Sequence, residues 1–444
     1  MRIHIVGAGP TGLTIAWELA KLKQHEIRVY DKKSGPGGSW WEPDGERRDV
    51  HAARAVFPRT FVNTQSLFKE MGLKWSDIFG PGPNASGSLG LKFSAMDYVA
   101  LVYLAVRVLM SPSTYRHVSL KDALGNELSE RGRITAQNLT YQLDGVPWDV
   151  MTAYEFMGTL DWTLLGSIET QKIPGSQMGR MMQGALEAQG VQFFFNSELD
   201  KVVYSADGTF HAYFSEDPTE DGILILCPDA VPAKKLIGDN WGPDADAMLT
   251  KGAYESVTVM LYYDTPVPPL PSGITISMNT GLGMLAHALD QKTIAVGLLR
   301  PPPEKLDPDQ LIEEVIKQLT AVPGMPKLPP LKDSTIGWGS RWVGEKWTHS
   351  QSSMVLSTLG PLPFFGTNKR VALCGMMSDR STPFACIEAA VEVGRRFASQ
   401  NFGTPKPRSA WTISKILLAL IIVWVVLSLS TATSSVSLVK APTR

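Results

Sequence analysis

At 444 residues and 44% hydrophobic content, the chain is long enough for two domains or one two-lobed unit with a sizeable core. Lysine plus arginine (42) and aspartate plus glutamate (43) nearly cancel, which removes general electrostatic attraction to nucleic acid as a basis for function. The three cysteines, Cys227, Cys374 and Cys386, have no Cys-x-x-Cys spacing and no neighbouring histidine set, which argues against a disulfide framework or a metal site and fits a reducing compartment.

In chain order, "RIHIVGAG" reads as a short buried strand, "TGLTIAWELAKLK" as the helix after it and "EIRVYD" as a second strand. That is a β-α-β unit, and parallel strands joined by a helix imply an open parallel sheet. The first strand begins almost at Met1, which leaves no room ahead of it for a signal sequence. Residues 61–165 include the apolar helical stretch "DYVALVYLAVRVLM", which either belongs to a core or borders a lipophilic entrance or membrane surface. "GSQMGRMMQGALEAQG" is then a helix, the segment from Val191 to Ser215 gives two or three strands, and "GILILCPDA" is another buried strand; all return to the first sheet. A second insertion holds the strand "SVTVMLYYD" and the amphipathic helix "PDQLIEEVIKQL".

The expected organisation is therefore interleaved. A nucleotide-binding domain takes residues 1–60, 166–244 and 365–402, and a second domain takes 61–165 and 245–364. A linker follows at 403–412, and an anchor at 413–433. No charge occurs between Ile416 and Val439, so the end of the chain reads as a single-pass transmembrane helix. Lys406, Arg408 and Lys415 precede it and only Lys440 and Arg444 follow, which places the large domain on the cytosolic side.

"GAGPTG" has glycines at 7, 9 and 12, the G-x-G-x-x-G spacing, between a strand and a helix. The first glycine permits a tight turn, the second lets backbone approach a pyrophosphate, and the third lets helix and strand pack closely. The helix amino terminus faces the phosphates with the positive end of its dipole. Asp31, about 20 residues on, suits a ribose hydroxyl. NAD and FAD both meet these conditions. The following "DKKSGPGGSWW" gives a second stretch of backbone without side chains at Gly37 and Gly38, which suits the longer body of FAD; the alternative is a loop that needs positive φ at Gly35, Gly37 or Gly38.

On "IVGAGPTGLTIAWEL", "VYDKKSGPGGSWW", "RDVHAARAVFPRTFVNTQSLFKEMGL", "IPGSQMGRMMQGALEAQGVQFFFNSELDKV" and "RVALCGMMSDRSTPFACIEAAVEVGRRFA", the sequence resembles the flavin amine oxidase superfamily of amine oxidases, protoporphyrinogen oxidase and phytoene-desaturase-like enzymes. The resemblance implies an α/β fold with a Rossmann-like FAD-binding domain and an interleaved α+β substrate domain. It also implies that Gly7, Ala8, Gly9, Pro10, Thr11 and Gly12 cradle the pyrophosphate, that Asp31 and Lys32 lie at the adenosine ribose, and that Gly37, Gly38 and Ser39 pass the phosphate and ribityl region. Arg54 would pair with a cofactor phosphate or stand in a surface ion pair, Leu199 would offer backbone to adenine, and Gly375 and Met376 would lie beside the ribityl chain. Ile387 would begin a helix whose amides face the flavin pyrimidine edge, where negative charge develops on reduction.

Four departures stand out. Met376 and Met377 follow Gly375 where the family carries an acid, with Asp379 the nearest carboxylate; Ser39 and Ala389 replace a basic residue and a glycine; and Thr258 falls where amine oxidases hold a lysine. Few protein acids or bases are expected, because a flavin itself performs hydride transfer. His51 is the catalytic candidate, as a proton carrier near the flavin or as a loop-packing histidine. Trp40, Trp41, Tyr262 and Trp347 either line an aromatic pocket or fill core, and Cys386 either links a flavin covalently or packs.

The sequence thus points to a membrane-anchored FAD oxidoreductase acting on a small or lipophilic organic substrate, with oxygen or a membrane acceptor taking the electrons. A flavin monooxygenase and a non-catalytic flavin-binding membrane protein are the competing readings.

Overall fold

The run Arg2–Val6 (β1) lies at the centre of a five-stranded sheet, because both of its faces are covered and Ile3, Ile5 and Val6 supply apolar side chains to them. A computed structural model describes the chain to residue 416 except 42–54, 81–92, 145–146, 164–166, 168, 206–207, 215–217, 220, 244, 246–256, 271–273, 278–281, 299–304, 323, 338–339 and 350–360. Helix α1 (Pro10–Ala20) carries the chain from β1 to β2 (Glu26–Tyr30), and β2 pairs parallel with β1, Ile5 opposite Val29. Next come α2 (Val62–Glu70), α3 (Ala95–Met110), α4 (Ala153–Thr163) and α5 (Gly175–Glu187). The chain returns through β3 (Gln192–Phe194), which extends the sheet beside β2.

The segment expected to re-enter the same sheet divides there. Only β3 joins it, whereas β4 (Leu199–Tyr204) and β5 (Phe210–Phe214) form a separate antiparallel ladder. Their inward side chains Leu199, Phe210, Ala212 and Phe214 cover Val6, Tyr30, Leu224 and Leu226 on one face of the main sheet. β6 (Ile223–Leu226) then pairs with β1 on its other side.

A second lobe follows. β7 (Thr258–Tyr263), β8 (Ile274–Ser277), β9 (Met284–Asp290) and β10 (Thr293–Leu298), with β11 (Leu331–Ile336), form an antiparallel sheet in the order β8-β9-β10-β7-β11. Helix α6 (Pro308–Thr320) closes it with Leu311, Val315 and Leu319, and starts at a capping box between Asp307 and Gln310. The last strand of the main sheet, β12 (Val371–Leu373), pairs with β6, giving the all-parallel order β12-β6-β1-β2-β3. Helix α7 (Ile387–Phe402) completes the layer with α1 and α5.

Helices α1 and α7 cross closely because Gly394 has no side chain: a Cβ there would lie 2.8 Å from the Thr14 Cβ. A charged cluster fastens the same junction. Arg395, nearly fully buried, contacts Glu18 at 3.2 Å and Glu70 at 2.6 Å, and Lys21 reaches Glu18 at 2.6 Å and Glu70 at 3.0 Å, so α1, α2 and α7 share one ionic knot. Burial opposes ionisation of Glu70, but the hydrogen bond from Lys21 and the nearby Arg395 guanidinium outweigh it and bring its pKa down to about 2.

Residues 403–412 are strapped to the domain. Asn63 Oδ1 accepts from the Arg408 N–H at 2.7 Å, Arg59 donates to the Trp411 carbonyl at 3.2 Å, and Asp161 on α4 accepts from Ser414 N and Oγ at 2.6 and 2.7 Å. Among the described residues no helix is long and apolar enough to cross a membrane. The anchor expectation rests on the segment after Ile416, which lies outside them.

Candidate functional site

The carboxyl ends of β1, β2, β6 and β12 share one edge, where ligands of open parallel sheets bind. The first glycine loop leaves β1 there. Gly7 holds φ +110°, and a Cβ on it would stand 2.8 Å from the Cys227 carbonyl at the end of β6. A Cβ on Gly12 would stand 2.0 Å from the Gly7 carbonyl, so only glycine lets α1 begin so close to β1. Helix α1 starts at Pro10, after Gly9, and no side chain caps that end. Its first-turn N–H groups lack intrahelical partners, which is the arrangement an anion requires. Pro10 remains partly accessible, whereas Thr11 is buried.

Ala8 is a stitch between elements. Its N–H donates to Asp31 Oδ2 at 2.7 Å and its carbonyl accepts from Gly37 N at 2.9 Å, so its backbone is engaged by protein, and its side chain is fully buried. Asp31, at the end of β2, also accepts from Lys33 N at 2.9 Å. Burial pushes the Asp31 carboxyl above the usual carboxylate range, against the pull of those two amides. Lys32 lies on the surface, 3.8 Å from Glu198, and acts on Asp31 only as a nearby positive charge.

The glycine pair has a conformational reason to exist. Gly37 and Gly38 hold φ +136° and +60°, whereas Gly35 does not need positive φ. Gly38 also packs edge to edge with Gly9: a Cβ on Gly38 would be 2.7 Å from the Gly9 Cα. The second loop is therefore locked onto the first, and Gly175 and Gly179 of α5 press on it from the far side, with added Cβ atoms only 2.0 Å from the Trp40 carbonyl and 2.4 Å from the Pro36 carbonyl. Lys33 donates to the Gly38 carbonyl at 2.7 Å and lies over the Trp41 ring. Ser39 is exposed at this loop. A cavity of about 320 Å³ opens beside it, lined by Ser34, Gly35, Pro36, Trp41, Arg180 and Gln183.

At the other end of the edge, Gly375 and Met376 follow β12, with Gly375 N donating to Ser378 Oγ at 3.2 Å and Met376 partly accessible. Asp379 does not substitute for the missing acid, because it points outward and pairs with Arg396 at 2.8 Å. Ile387 is buried as the first residue of α7. Its neighbour Glu388 was not anticipated. Fully buried, this carboxylate accepts from Asn63 N and Nδ2 at 2.9 and 2.8 Å and from Thr64 N and Oγ1 at 2.8 and 2.7 Å. It thereby caps α2, whose own N-cap residue, Phe61, offers no side-chain acceptor. Burial raises the Glu388 pKa while these donors oppose the rise.

Asp229 is the second group the sequence reading missed, although its place just after a sheet strand was the signal. Its side chain is exposed at the carboxyl edge of the sheet, and the protein packed around it raises its carboxyl pKa while Lys33 and Lys32 oppose the rise. Cys227 and Cys386 are half-buried, and burial pushes both thiols well above their ordinary range. Cys374 stands one residue past the Leu226–Leu373 pair, beside Cys227, and all three cysteines are free.

Other expectations separate. Leu199 is buried at the start of β4, close to Asp31 through the Ser197 N–H, which donates to the Asp31 carbonyl at 2.9 Å. Thr258 is wholly buried at the start of β7. The four aromatics do not form one pocket: Trp40 packs in the nucleotide-lobe core, and Trp347 packs in the second lobe, donating to the Leu306 carbonyl at 3.0 Å. His51 and Arg54 lie outside the described residues.

Comparison with known proteins agrees with this architecture. Residues 5–71 match the family described as NAD(P)-binding Rossmann-like domain. No curated protein sequence matches the chain. Among solved structures, the chain is similar to cyclohexylamine oxidase from Brevibacterium oxydans (TM-score 0.63, 12% identity, covering 90% of this chain and 98% of that one). It is also similar to putrescine oxidase bound to putrescine (0.62, 14%, 91% and 99%) and to a putative protoporphyrinogen oxidase from Exiguobacterium (0.61, 14%, 90% and 98%). The chain shares its overall fold with these three structures.

Proposed function

We propose that the protein is an FAD-dependent, amine-oxidase-like oxidoreductase that dehydrogenates a small or lipophilic organic substrate. The observation that carries this reading is the interlocked pair of glycine loops at the carboxyl edge of the sheet, together with Asp31 at the end of β2, whose carboxylate is tied to the first loop through Ala8. Those residues fit a dinucleotide. Cβ atoms would fill the cradle at Gly7 and Gly12, an uncapped helix end suits the pyrophosphate, and carboxylates suit ribose hydroxyls.

When bound, FAD supplies hydride acceptance at its N5 position. The chain's contribution is to hold and orient. The first-turn amides of α1 hold phosphate, Asp31 accepts from the ribose, and backbone at Leu199 meets adenine. Gly37, Gly38 and Ser39 pass the middle of the cofactor, Gly375 and Met376 flank its ribityl portion, and the amino terminus of α7 from Ile387 faces the flavin. Neutral thiols at Cys227 and Cys386 leave that environment without thiolate charge. His51 remains the proposed proton carrier, and Arg54 a proposed phosphate partner. Thr258, buried in the sheet, supplies no amino group of the kind an amine oxidase places there, which favours a substrate whose oxidation needs no lysine-held water.

The interleaved domain boundaries read from the sequence belong to this proposal, as does a membrane anchor beyond Ile416 that brings the enzyme to a lipophilic substrate or acceptor, with oxygen as the alternative acceptor. The test is direct. The purified, detergent-solubilised chain should absorb near about 370 and 450 nm, as oxidised flavin does. Anaerobic mixing with amines, polyenes or porphyrinogens should bleach the longer-wavelength band with one class. A colourless chain that added FAD cannot reconstitute overturns the proposal, and a yellow chain that none of them bleaches favours a non-catalytic flavin protein.

A further inference from the structure

Helix α3 has two apolar faces and uses only one. Asp97, Leu101, Leu104 and Val108 form the buried stripe, and the last three pack with Phe156 and Leu160 of α4. The opposite side is apolar too: Met96, Val99, Val102, Tyr103, Val106 and Leu109 are between 46% and 72% exposed. Of 17 exposed large hydrophobic side chains among the described residues, eight lie on this one helix. Isolated exposed apolar residues need no explanation, but a contiguous face of this length marks an interaction surface.

We infer that this face of α3 rests in the surface of a lipid bilayer, with Trp411 at the point where the chain enters it. The inference rests on the anchor proposed above. Asp161, the residue after Leu160 on α4, holds Ser414 by two hydrogen bonds, so the uncharged segment from Ile416 departs from the helix that supports α3. Trp411, 63% exposed, stands just ahead of that departure, and Tyr98 and Tyr103 flank the α3 face. Tyrosine and tryptophan at such positions suit the headgroup level. Every exposed position of the helix is uncharged, and its one basic residue, Arg107, is partly buried, lies over the Tyr103 ring and pairs with Glu127.

The departing segment itself is a poor cover for α3. From Leu417 to Leu427 every residue is apolar, so folding it onto α3 would hide one side and leave the other in water. Lipid covers both surfaces at once.

The full-length chain, reconstituted in phosphatidylcholine vesicles containing a diazirine-bearing phosphatidylcholine, is photolysed and its adducts are mapped by mass spectrometry. Adducts on residues 95–110 as well as on 417–439 are expected. The paired change Val102→Asp and Val106→Asp should lower the 95–110 yield roughly tenfold, as replacing apolar contact by charge at an interface predicts, with the thermal midpoint and the tail adducts unchanged. Adducts confined to the tail overturn this inference and leave the anchor standing. Adducts on neither segment overturn both.

Discussion

Replacing Glu388 by glutamine changes few atoms but alters a cap made across 325 residues of sequence. The carboxylate accepts four hydrogen bonds, two from backbone N–H groups in the first turn of α2. In Glu388→Gln one oxygen keeps the Asn63 pair, while an NH2 group faces the Thr64 donors. The Thr64 hydroxyl can rotate to accept, but the Thr64 N–H is left without a partner at a cost of about 1–3 kcal/mol, and the Asn63 bonds lose charge assistance. Removal of a buried charge offsets part of this, leaving a net loss of about 3 kcal/mol. A folded unit of about 400 residues unfolds with an entropy of roughly 0.8 kcal/mol/K, so the midpoint should fall by roughly 3–4 °C. Thermal unfolding followed by circular dichroism, with release of flavin fluorescence as a second signal, measures it. Asp379→Asn, which removes an exposed partner of Arg396, is the control and should shift the midpoint by less than about 1 °C. If Glu388→Gln melts with the control, the cap contributes nothing and the account of how α7 is held to α2 fails.

Gly12→Ala places a methyl group 2.0 Å from the Gly7 carbonyl and should give folded but colourless protein, read from the ratio of flavin to protein absorbance. Gly38→Ala, at φ +60° and against Gly9, should weaken FAD by at least about tenfold in a fluorescence titration, from a strain of about 1–2 kcal/mol plus the contact. Arg395→Met should destabilise by about 3–5 kcal/mol in denaturant unfolding, because Glu18 is left buried with only Lys21. Since the Glu70 pKa is depressed from 4.5 to about 2 in the fold, its contribution to stability is complete above pH 4.5 and disappears as pH falls toward 2; Glu70→Gln should flatten acid unfolding across that window. The three thiols should resist alkylation at pH 8 in the native protein and react rapidly in denaturant, because burial raises all three pKa values.

The nucleotide sheet was legible because its signals are local. "RIHIVGAG", "EIRVYD" and "GILILCPDA" are short apolar runs beside turn residues, and each became a strand of the same sheet. The segment after Val191 was harder: alternation identifies Leu199–Tyr204 and Phe210–Phe214 as strands but does not state which sheet receives them, since that depends on what their buried sides meet. In the site, the spacing of Gly7, Gly9 and Gly12 anticipates how closely α1 begins against β1, and the structure joins Asp31 to that loop through Ala8. Glu388 was not legible, since a carboxylate's role is fixed by distant partners, here Asn63 and Thr64. Prolines mark residues 403–412 as a linker, and Asn63 and Arg59 hold Arg408 and Trp411 within it by contacts that composition does not reveal.

The order of strands has a consequence during synthesis. Ile223–Leu226 stays an open apolar edge until Val371–Leu373 emerges, and α1 waits for Gly394, some 380 residues after Thr14, to fill the groove beside it. A nascent chain thus carries its oldest secondary structure uncovered through most of translation, when strand edges are prone to aberrant pairing. Truncation anywhere before residue 402 therefore removes a wall of the first-made half, and shortened forms should be captured by chaperones instead of accumulating as smaller folded proteins.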